Sequence, residues 1–224
     1  KTKAIVSVDF AGLPCDYEKI LKIARENNLL VIEDACHALG AEYKSKKIGS
    51  FADMTVLSFH PVKHITTGEG GMVLTNNKSF YEKLKLFRNH GIVKKPEKGK
   101  WYYEIENPGF NYRITDIQCA MGLSQLKKID KFLKKRKEIA EVYNKAFGGI
   151  TEIILPKESI FSKSAWHLYP IQVKNRKKVF DELQKKGIGV QVHYMPLHLH
   201  PFYQKKFGYK KDDFSVAEKY YEGA

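Results

Sequence analysis

The sequence contains no apolar run that approaches the roughly 20 residues of a membrane-spanning helix. Its opening residues, KTKAIVSV, include no apolar segment long enough for a signal peptide. Cysteine is scarce: the three cysteines, Cys15, Cys36 and Cys119, are scattered and form no CxxC pair, which argues against a disulfide framework and a structural zinc site. With 43% hydrophobic residues, we expect a soluble globular protein of the cytoplasm, with reduced thiols and no membrane partner.

Acidic residues are outnumbered, 25 against 39 Lys and Arg, and the formal net charge is +14. An excess of this kind can indicate a nucleic-acid partner. Here the lysines of residues 127–137 recur at helical spacing beside Ile129, Phe132 and Leu133, which predicts a solvated helix face. A nucleic-acid binder would need clustered cations and aromatics on one face, and only residues 94–103 come near that pattern. We therefore expect no nucleic-acid partner.

The first part of the chain predicts a parallel sheet with helices. Residues 4–10 and 29–32 are apolar strand patterns, and between them Asp16 can cap a helix that ends near Asn27. This βαβ unit favours parallel strands. The later predictions are strands at 54–59 and 72–75, a helix at 78–89, a mobile loop carrying an aromatic hairpin at 91–107, and one helix at 116–147 that begins with a Thr115–Gln118 capping box.

Gly148 and Gly149 break the long helix, and the predicted domain boundary lies there. Residues 1–147 form a large domain and residues 148–224 a smaller α/β domain. The smaller domain is expected to contain strands at 169–174 and 189–193, and a helix at 177–186 that Gly187 ends.

One lysine stands in an unusual place, in a loop between two buried strands. Lys63 follows the strand that ends in Ser58, and a glycine-rich turn leads to the next strand. An amine of this kind can bond covalently to an aldehyde cofactor, and nearby hydroxyls can bind a phosphate tail. The alternative is an ordinary solvated lysine.

A second polar position lies upstream, where the apolar run 29–32 ends in Glu33 and Asp34. Ligands of open α/β sheets bind at the carboxyl ends of strands, so Asp34 could pair with the protonated ring nitrogen that pyridoxal phosphate requires. Alternatively, Asp34 caps a helix at 35–39. His37 could stack on the cofactor ring or reach its phenolic oxygen, or it could be an ordinary helix histidine.

Four blocks carry a family resemblance: VIEDACHALGA, SFHPVK, TTGEGG and NPGFNYRITDIQCA. They resemble, in order and across most of the chain, the sugar-nucleotide aminotransferases of the DegT/DnrJ/EryC1/StrS family. The resemblance implies a PLP-dependent transferase of the aspartate aminotransferase-like fold (fold type I): α/β, with a mainly parallel sheet flanked by helices and a smaller C-terminal α/β domain. It also implies a homodimer with shared active sites.

The resemblance also assigns roles to single residues. Lys63 would be the catalytic lysine that bonds to pyridoxal 5'-phosphate. Asp34, His37 and Ser58 would bind that cofactor, and Asn111 would reach its phosphate across the dimer interface. The substrate side would be formed by Gln191, His193 and Tyr194.

Within the family, the segments KTKAIVSVDFAGLPCD, CHALGAEY, LSQLKK and QVHYMPLH most resemble enzymes of the pseudaminic acid route. Those enzymes aminate C4 of a UDP-linked 4-keto-6-deoxy sugar, and the donor implied by the family is glutamate. Two alternatives stay open: amination of another nucleotide keto-sugar, and a non-catalytic regulatory or binding relative. Some relatives carry histidine in place of the lysine and catalyse dehydration, but the SFHPVK register places Lys63 as in aminating members.

Family members extend beyond this sequence on both sides, so we expect the chain to be truncated at both ends, without the loop that grips the cofactor phosphate. His198 and His200 form an HxH pair that would share one face of a strand. No third ligand of the right type is near them in the sequence, so no metal site is predicted.

Overall fold

A computed structural model describes all residues, Lys1–Ala224. The chain divides into two compact units: unit 1 comprises Lys1–Lys137 and Glu158–His167, and unit 2 comprises Glu138–Lys157 and Leu168–Ala224. The division at residue 148 stays a prediction of domain organisation. None of the helices combines the length and apolar character needed to cross a membrane.

The elements up to residue 147 include eight strands and four α-helices. In chain order they are β1 (Ala4–Val8), α1 (Tyr17–Glu26), β2 (Leu30–Asp34), β3 (Glu42–Tyr43), β4 (Lys46–Lys47), β5 (Met54–Ser58), β6 (Gly71–Leu74), α2 (Lys78–Arg88), β7 (Ile92–Lys94), β8 (Tyr103–Ile105), α3 (Asp116–Leu126) and α4 (Ile129–Phe147). The predicted caps of α1 and α3 are confirmed: Asp16 accepts from the Lys19 N–H, and Thr115 and Gln118 form the capping box. The predicted hairpin in residues 91–107 is the antiparallel β7–β8 pair.

The central sheet has the order β1-β2-β5-β6. Strands β1, β2 and β5 are parallel, as the βαβ pattern predicted, whereas β6 runs antiparallel to β5. A parallel β6 would need a crossover connection, and the β5–β6 segment instead folds into a loop that returns directly along the sheet. The hydrophobic core of this unit comprises Ala35, Ala38, Ala41, Leu57, Phe59, Ile65 and Ala165.

The remaining elements are β9 (Ile153–Ile154), β10 (Ser162–Lys163), β11 (Gln172–Val173), α5 (Arg176–Lys185), α6 (Pro201–Phe207) and α7 (Ser215–Gly223). Strand β10 pairs with β3 in unit 1, and β11 pairs with β9 in unit 2. Helix α5 ends at Lys185, and Gly187 just beyond it adopts a φ of 75°, as predicted for the helix C-terminus.

Three predicted elements are wrong. The helix at 116–147 is two helices, because the Lys128 N–H donates to Gln125 O in a tight turn instead of continuing the α-helical pattern. Residues 35–39 form successive turns rather than a helix, with the Ala38 N–H donating to Ala35 O. No strand forms at 189–193, since that segment has no strand beside it with which to pair.

Candidate active site

Asp34 lies at the carboxyl end of the central strand β2, between β1 and β5. Its register partners are Val8 on one side and Val56 on the other. Adjacent residues in paired strands project from the same face, so Asp34, Val56 and Ser58 share one face of the sheet. Glu33 projects from the other face, where it is fully buried and accepts hydrogen bonds from the Thr55 hydroxyl (2.6 Å) and the Gly49 N–H (2.9 Å). Of the two neighbouring carboxylates, only Asp34 therefore faces the candidate site.

The turn after β2 fixes the Asp34 side chain without a helix. One carboxylate oxygen accepts a hydrogen bond of 3.2 Å from the Cys36 N–H. The helix-cap alternative for Asp34 is wrong because no helix follows, and the side chain instead closes a local turn of the kind that Asp favours.

The Lys63 loop is closed at its base by hydrogen bonds to Phe59. The Phe59 carbonyl accepts from the Thr67 N–H (3.0 Å) and the Thr66 hydroxyl (3.1 Å), while the Phe59 N–H donates to Gly70 O (2.9 Å). A Cβ at Gly71 would lie 2.8 Å from Leu57 O, so glycine is needed where β6 approaches β5. The glycine-rich turn therefore fixes the base of the loop that holds the lysine.

Lys63 is half-buried, and its backbone N–H donates to His60 O in a turn. Burial lowers the pKa of the Lys63 amine, while nearby Cys36 and Asp34 oppose that shift. A lowered pKa raises the fraction of neutral amine, which is the nucleophilic form. Ser58 is also half-buried at the end of β5, and its hydroxyl accepts from the His60 N–H at 3.3 Å. The structure thus places Asp34, Ser58 and Lys63 at the same edge of the sheet.

His37 joins this group from the turn after β2. Its Nδ1 accepts a hydrogen bond of 3.3 Å from the Ala11 N–H, so in the neutral ring Nε2 carries the proton. Its ring packs against Phe10 (centroids 6.0 Å apart) and against His167 (4.4 Å). His167 was not among the predicted site residues, because its partners lie far from it in the sequence and no local pattern marks the contact.

Asn111 also belongs to unit 1, but its side chain is exposed and no contact joins it to Lys63. Its backbone forms an isolated antiparallel bridge with Asn89, whose side chain accepts from Arg113 at 2.8 Å. The flanking rings of Phe110 and Tyr112 stack with centroids 4.7 Å apart, and Tyr112 is 70% exposed.

The predicted substrate residues Gln191, His193 and Tyr194 lie in unit 2. Burial lowers the pKa of His193, whose ring meets the Tyr194 ring edge-on at 4.5 Å. The neighbouring HxH segment is a 3-10 helix at Leu197–Leu199 rather than a strand. There, the buried His198 Nε2 bonds to Glu218 Oε1 at 2.7 Å, a contact within the unit.

A cavity of about 1040 Å³ lies elsewhere in unit 1, between β6, α2 and residues 112–114. Apolar side chains including Met72, Leu84 and Phe87 line it, and none of the predicted site residues does. The convergence of titratable groups, rather than the size of a cavity, therefore marks Lys63 as the candidate site.

Comparisons with known proteins identify the family and the fold of this chain. The family model described as "DegT/DnrJ/EryC1/StrS aminotransferase family" matches residues 1–224. A curated relative from Campylobacter jejuni, UDP-4-amino-4,6-dideoxy-N-acetyl-beta-L-altrosamine transaminase, is 45% identical over 96% of this chain and 59% of its own length. The chain thus spans about 60% of the length of the curated relatives it matches.

Solved structures show the same fold. Helicobacter pylori PseC, an aminotransferase involved in the biosynthesis of pseudoaminic acid, has a TM-score of 0.92 and 40% identity, covering 99% of this chain and 60% of its own. The PLP-form of the Streptococcus pneumoniae protein Spr1654 has a TM-score of 0.91 and 31% identity, covering 100% of this chain and 62% of its own. The predicted fold is confirmed, and the family's aminotransferases use pyridoxal phosphate. The chain belongs to the DegT/DnrJ/EryC1/StrS aminotransferase family.

Proposed function

We propose that the protein is a pyridoxal phosphate-dependent aminotransferase of nucleotide sugars. The observation that carries this proposal is the position of Lys63. Its half-buried amine has a lowered pKa and lies in a loop fixed between β5 and β6, at the sheet edge that also holds Asp34. A solvated surface lysine would show neither the burial nor the neighbouring carboxylate, so these features favour the catalytic interpretation over the ordinary one.

The residues present fit this cofactor. Lys63 offers an amine for the aldehyde, Asp34 a carboxylate for the ring nitrogen, and Ser58 a hydroxyl for a phosphate oxygen. His37 offers an imidazole whose Nδ1 is held by the Ala11 N–H, which fixes its Nε2 as a proton donor. Bound pyridoxal phosphate supplies an aldehyde that receives the amino group and a ring that delocalises the electron pair left on the donor's α-carbon.

We assign the following roles in binding and proton transfer to residues of this chain. Lys63 would hold the cofactor covalently, and its amine would move the proton of the amino-acid α-carbon. The Asp34 carboxylate keeps the ring nitrogen protonated, which favours electron delocalisation. We assign to Asn111 a phosphate contact across the interface of a homodimer, and to Gln191, His193 and Tyr194 contacts with the substrate.

We propose glutamate as donor and C4 of a UDP-linked 4-keto-6-deoxy sugar as acceptor, on a route to pseudaminic acid or a related surface-glycan sugar. The names of the Campylobacter jejuni relative and of the Helicobacter pylori structure support this choice.

The exposed rings of Trp101 (78%) and Tyr112 (70%) support burial of these rings against a second copy of the chain in a homodimer. A cytoplasmic location is part of the proposal, supported by three cysteines that form no disulfide.

An activity assay that quantifies both products tests this function. The purified protein is mixed with pyridoxal phosphate, glutamate and a UDP-linked 4-keto-6-deoxy-N-acetylhexosamine, and both 2-oxoglutarate and the amino sugar are quantified. The proposal predicts equal amounts of the two products, and none with Lys63→Arg. Formation of neither product under conditions where the cofactor is bound would contradict the proposal and favour a non-catalytic binding role.

A further inference from the structure

Three histidine rings form a column beside Lys63, and the aminotransferase chemistry proposed above uses only one of them. The rings of His37 and His167 lie 4.4 Å apart between centroids, and those of His167 and His64 lie 5.4 Å apart. His167 is thus the middle ring, and its Nδ1 is buried without a hydrogen-bond partner. Its contact with His37 is therefore ring packing rather than a hydrogen bond through that nitrogen.

The segment that carries His167 is held firmly against the site. The His64 Nε2–H donates to Ala165 O at 3.0 Å, and Arg136 Nη1 donates to Trp166 O and His167 O, both at 3.2 Å. The Ala165 N–H in turn donates to Gly12 O at 2.9 Å. Residues 158–167 therefore return to unit 1 through contacts that fix the backbone from Ala165 to His167.

Gly12 allows this approach. Its φ is 99°, and a Cβ there would lie 2.8 Å from the Trp166 N and 2.9 Å from the His167 N. The chain thus keeps a glycine where the backbone of residue 12 packs closely against the backbone of Trp166 and His167. A segment packed loosely on the surface would not require glycine at residue 12.

His167 and His64 are uncharged at neutral pH. Burial, with smaller contributions from neighbouring cations, lowers the pKa of His167 to about 3. Burial also lowers the pKa of His64 to about 4, although its bond to Ala165 opposes the shift. His37 therefore packs against a neutral aromatic surface, and the hydrogen bond from Ala11 holds its Nδ1 unprotonated.

We propose that His167 is a positioning residue, which holds the His37 imidazole in the orientation and tautomer that face the cofactor. The proposal rests on the proposed function, because the cofactor contact of His37 is part of that function. Because His167 acts through packing of its ring, a phenylalanine at this position should still hold the His37 ring in place. An alanine should not.

The test compares His167→Ala and His167→Phe with a matched control, Phe51→Ala. Phe51 stacks on Tyr17 at 5.1 Å in another cluster of unit 1, so its loss reports a general effect of removing an aromatic contact. The first readout is the 15N chemical shifts of the His37 ring in the protein without cofactor. We expect the Nε2–H tautomer in the wild type, His167→Phe and Phe51→Ala, and shifts averaged between the two tautomers in His167→Ala.

The second readout is the dissociation constant of pyridoxal phosphate. A lost aromatic contact of this kind should weaken binding about three- to tenfold in His167→Ala, with His167→Phe and Phe51→Ala within about twofold of the wild type. Unchanged His37 shifts in His167→Ala, or equal defects in the Phe and Ala variants, would overturn the proposal. If the wild type itself binds no cofactor, the proposed function fails, while the His37 shifts still decide the role of His167.

Discussion

Asp34 and Ser58 project from the same face of the sheet, because Asp34 is the register partner of Val56 in the parallel β2–β5 pair. The neighbouring Glu33 projects from the opposite face into the core. The two adjacent carboxylates of the sequence motif thus lie in different environments, and substitutions of each can test whether their roles differ.

Asp34→Asn should lower kcat and leave the fold intact. Asparagine keeps the shape and can still accept from the Cys36 N–H, but it lacks the charge that keeps a ring nitrogen protonated. Glu33→Gln is the matched comparison: it should cost about 1–3 kcal/mol of unfolding free energy by disturbing a buried hydrogen-bonded carboxylate, with little effect on kcat. Steady-state kinetics and urea unfolding of both variants measure the difference. A kcat defect in Glu33→Gln but not in Asp34→Asn would reverse the assignment.

Lys63→Arg should lower kcat by at least about a hundredfold, since arginine is always charged and can neither bond to the aldehyde nor exchange a proton near neutral pH. The exposed Lys46 provides a control, and Lys46→Arg should retain full activity. Single-turnover assays with glutamate isolate the first half of the reaction. Appreciable turnover by Lys63→Arg would show that another group carries the chemistry.

The sequence predicted the parts of the site that follow directly from strand ends. The buried run before Asp34 and the loop that holds Lys63 are short-range patterns, and the sheet brings them together as such patterns imply. His167 could not be found in this way, because its place depends on the packing of residues 158–167 against Gly12 and Arg136. The strand predicted at 189–193 does not form, for a related reason. A β-strand requires a neighbouring strand for hydrogen bonding, and the periodicity of a segment does not show whether such a neighbour exists.

Gly12→Ala should destabilise the protein, because the positive φ of 99° is unfavourable for alanine and the added Cβ would meet the backbone of Trp166. We expect a loss of about 2–4 kcal/mol in unfolding free energy. Gly149→Ala is the control, since a Cβ there meets nothing within 4 Å, and its effect should stay within about 0.5 kcal/mol. Hydrogen exchange should also show faster exchange of the Ala165 amide in Gly12→Ala. Unchanged protection there would mean that Gly12 does not anchor this segment.

The contribution of the Asp9 carboxyl to stability should fall as pH rises from about 4 to about 7, opposite in sign to the contributions of His64 and His167, whose lowered pKa values favour the folded state as pH rises. Burial raises the pKa of Asp9 from 3.8 to about 7 in the folded protein, against hydrogen bonds from the Cys15 N–H and the Tyr17 hydroxyl. The folded state therefore binds more protons than the unfolded state in this interval, so this contribution to stability is lost as Asp9 ionises. Asp9→Asn cannot ionise and removes this contribution, so between pH 5 and pH 8 its stability should rise more, or fall less, than that of the wild type. Urea unfolding of both proteins at pH 5 and pH 8 measures it, and an identical pH dependence would exclude Asp9 as its source.

The central claim is that Lys63 bonds covalently to pyridoxal phosphate. The purified protein is incubated with the cofactor, its visible absorbance is recorded, borohydride is added, and the labelled peptide is mapped by mass spectrometry. We predict a visible band that borohydride abolishes and a stable label on Lys63. No band, or a label on another lysine, would contradict the assignment of Lys63 and favour the interpretation of this chain as a non-catalytic relative.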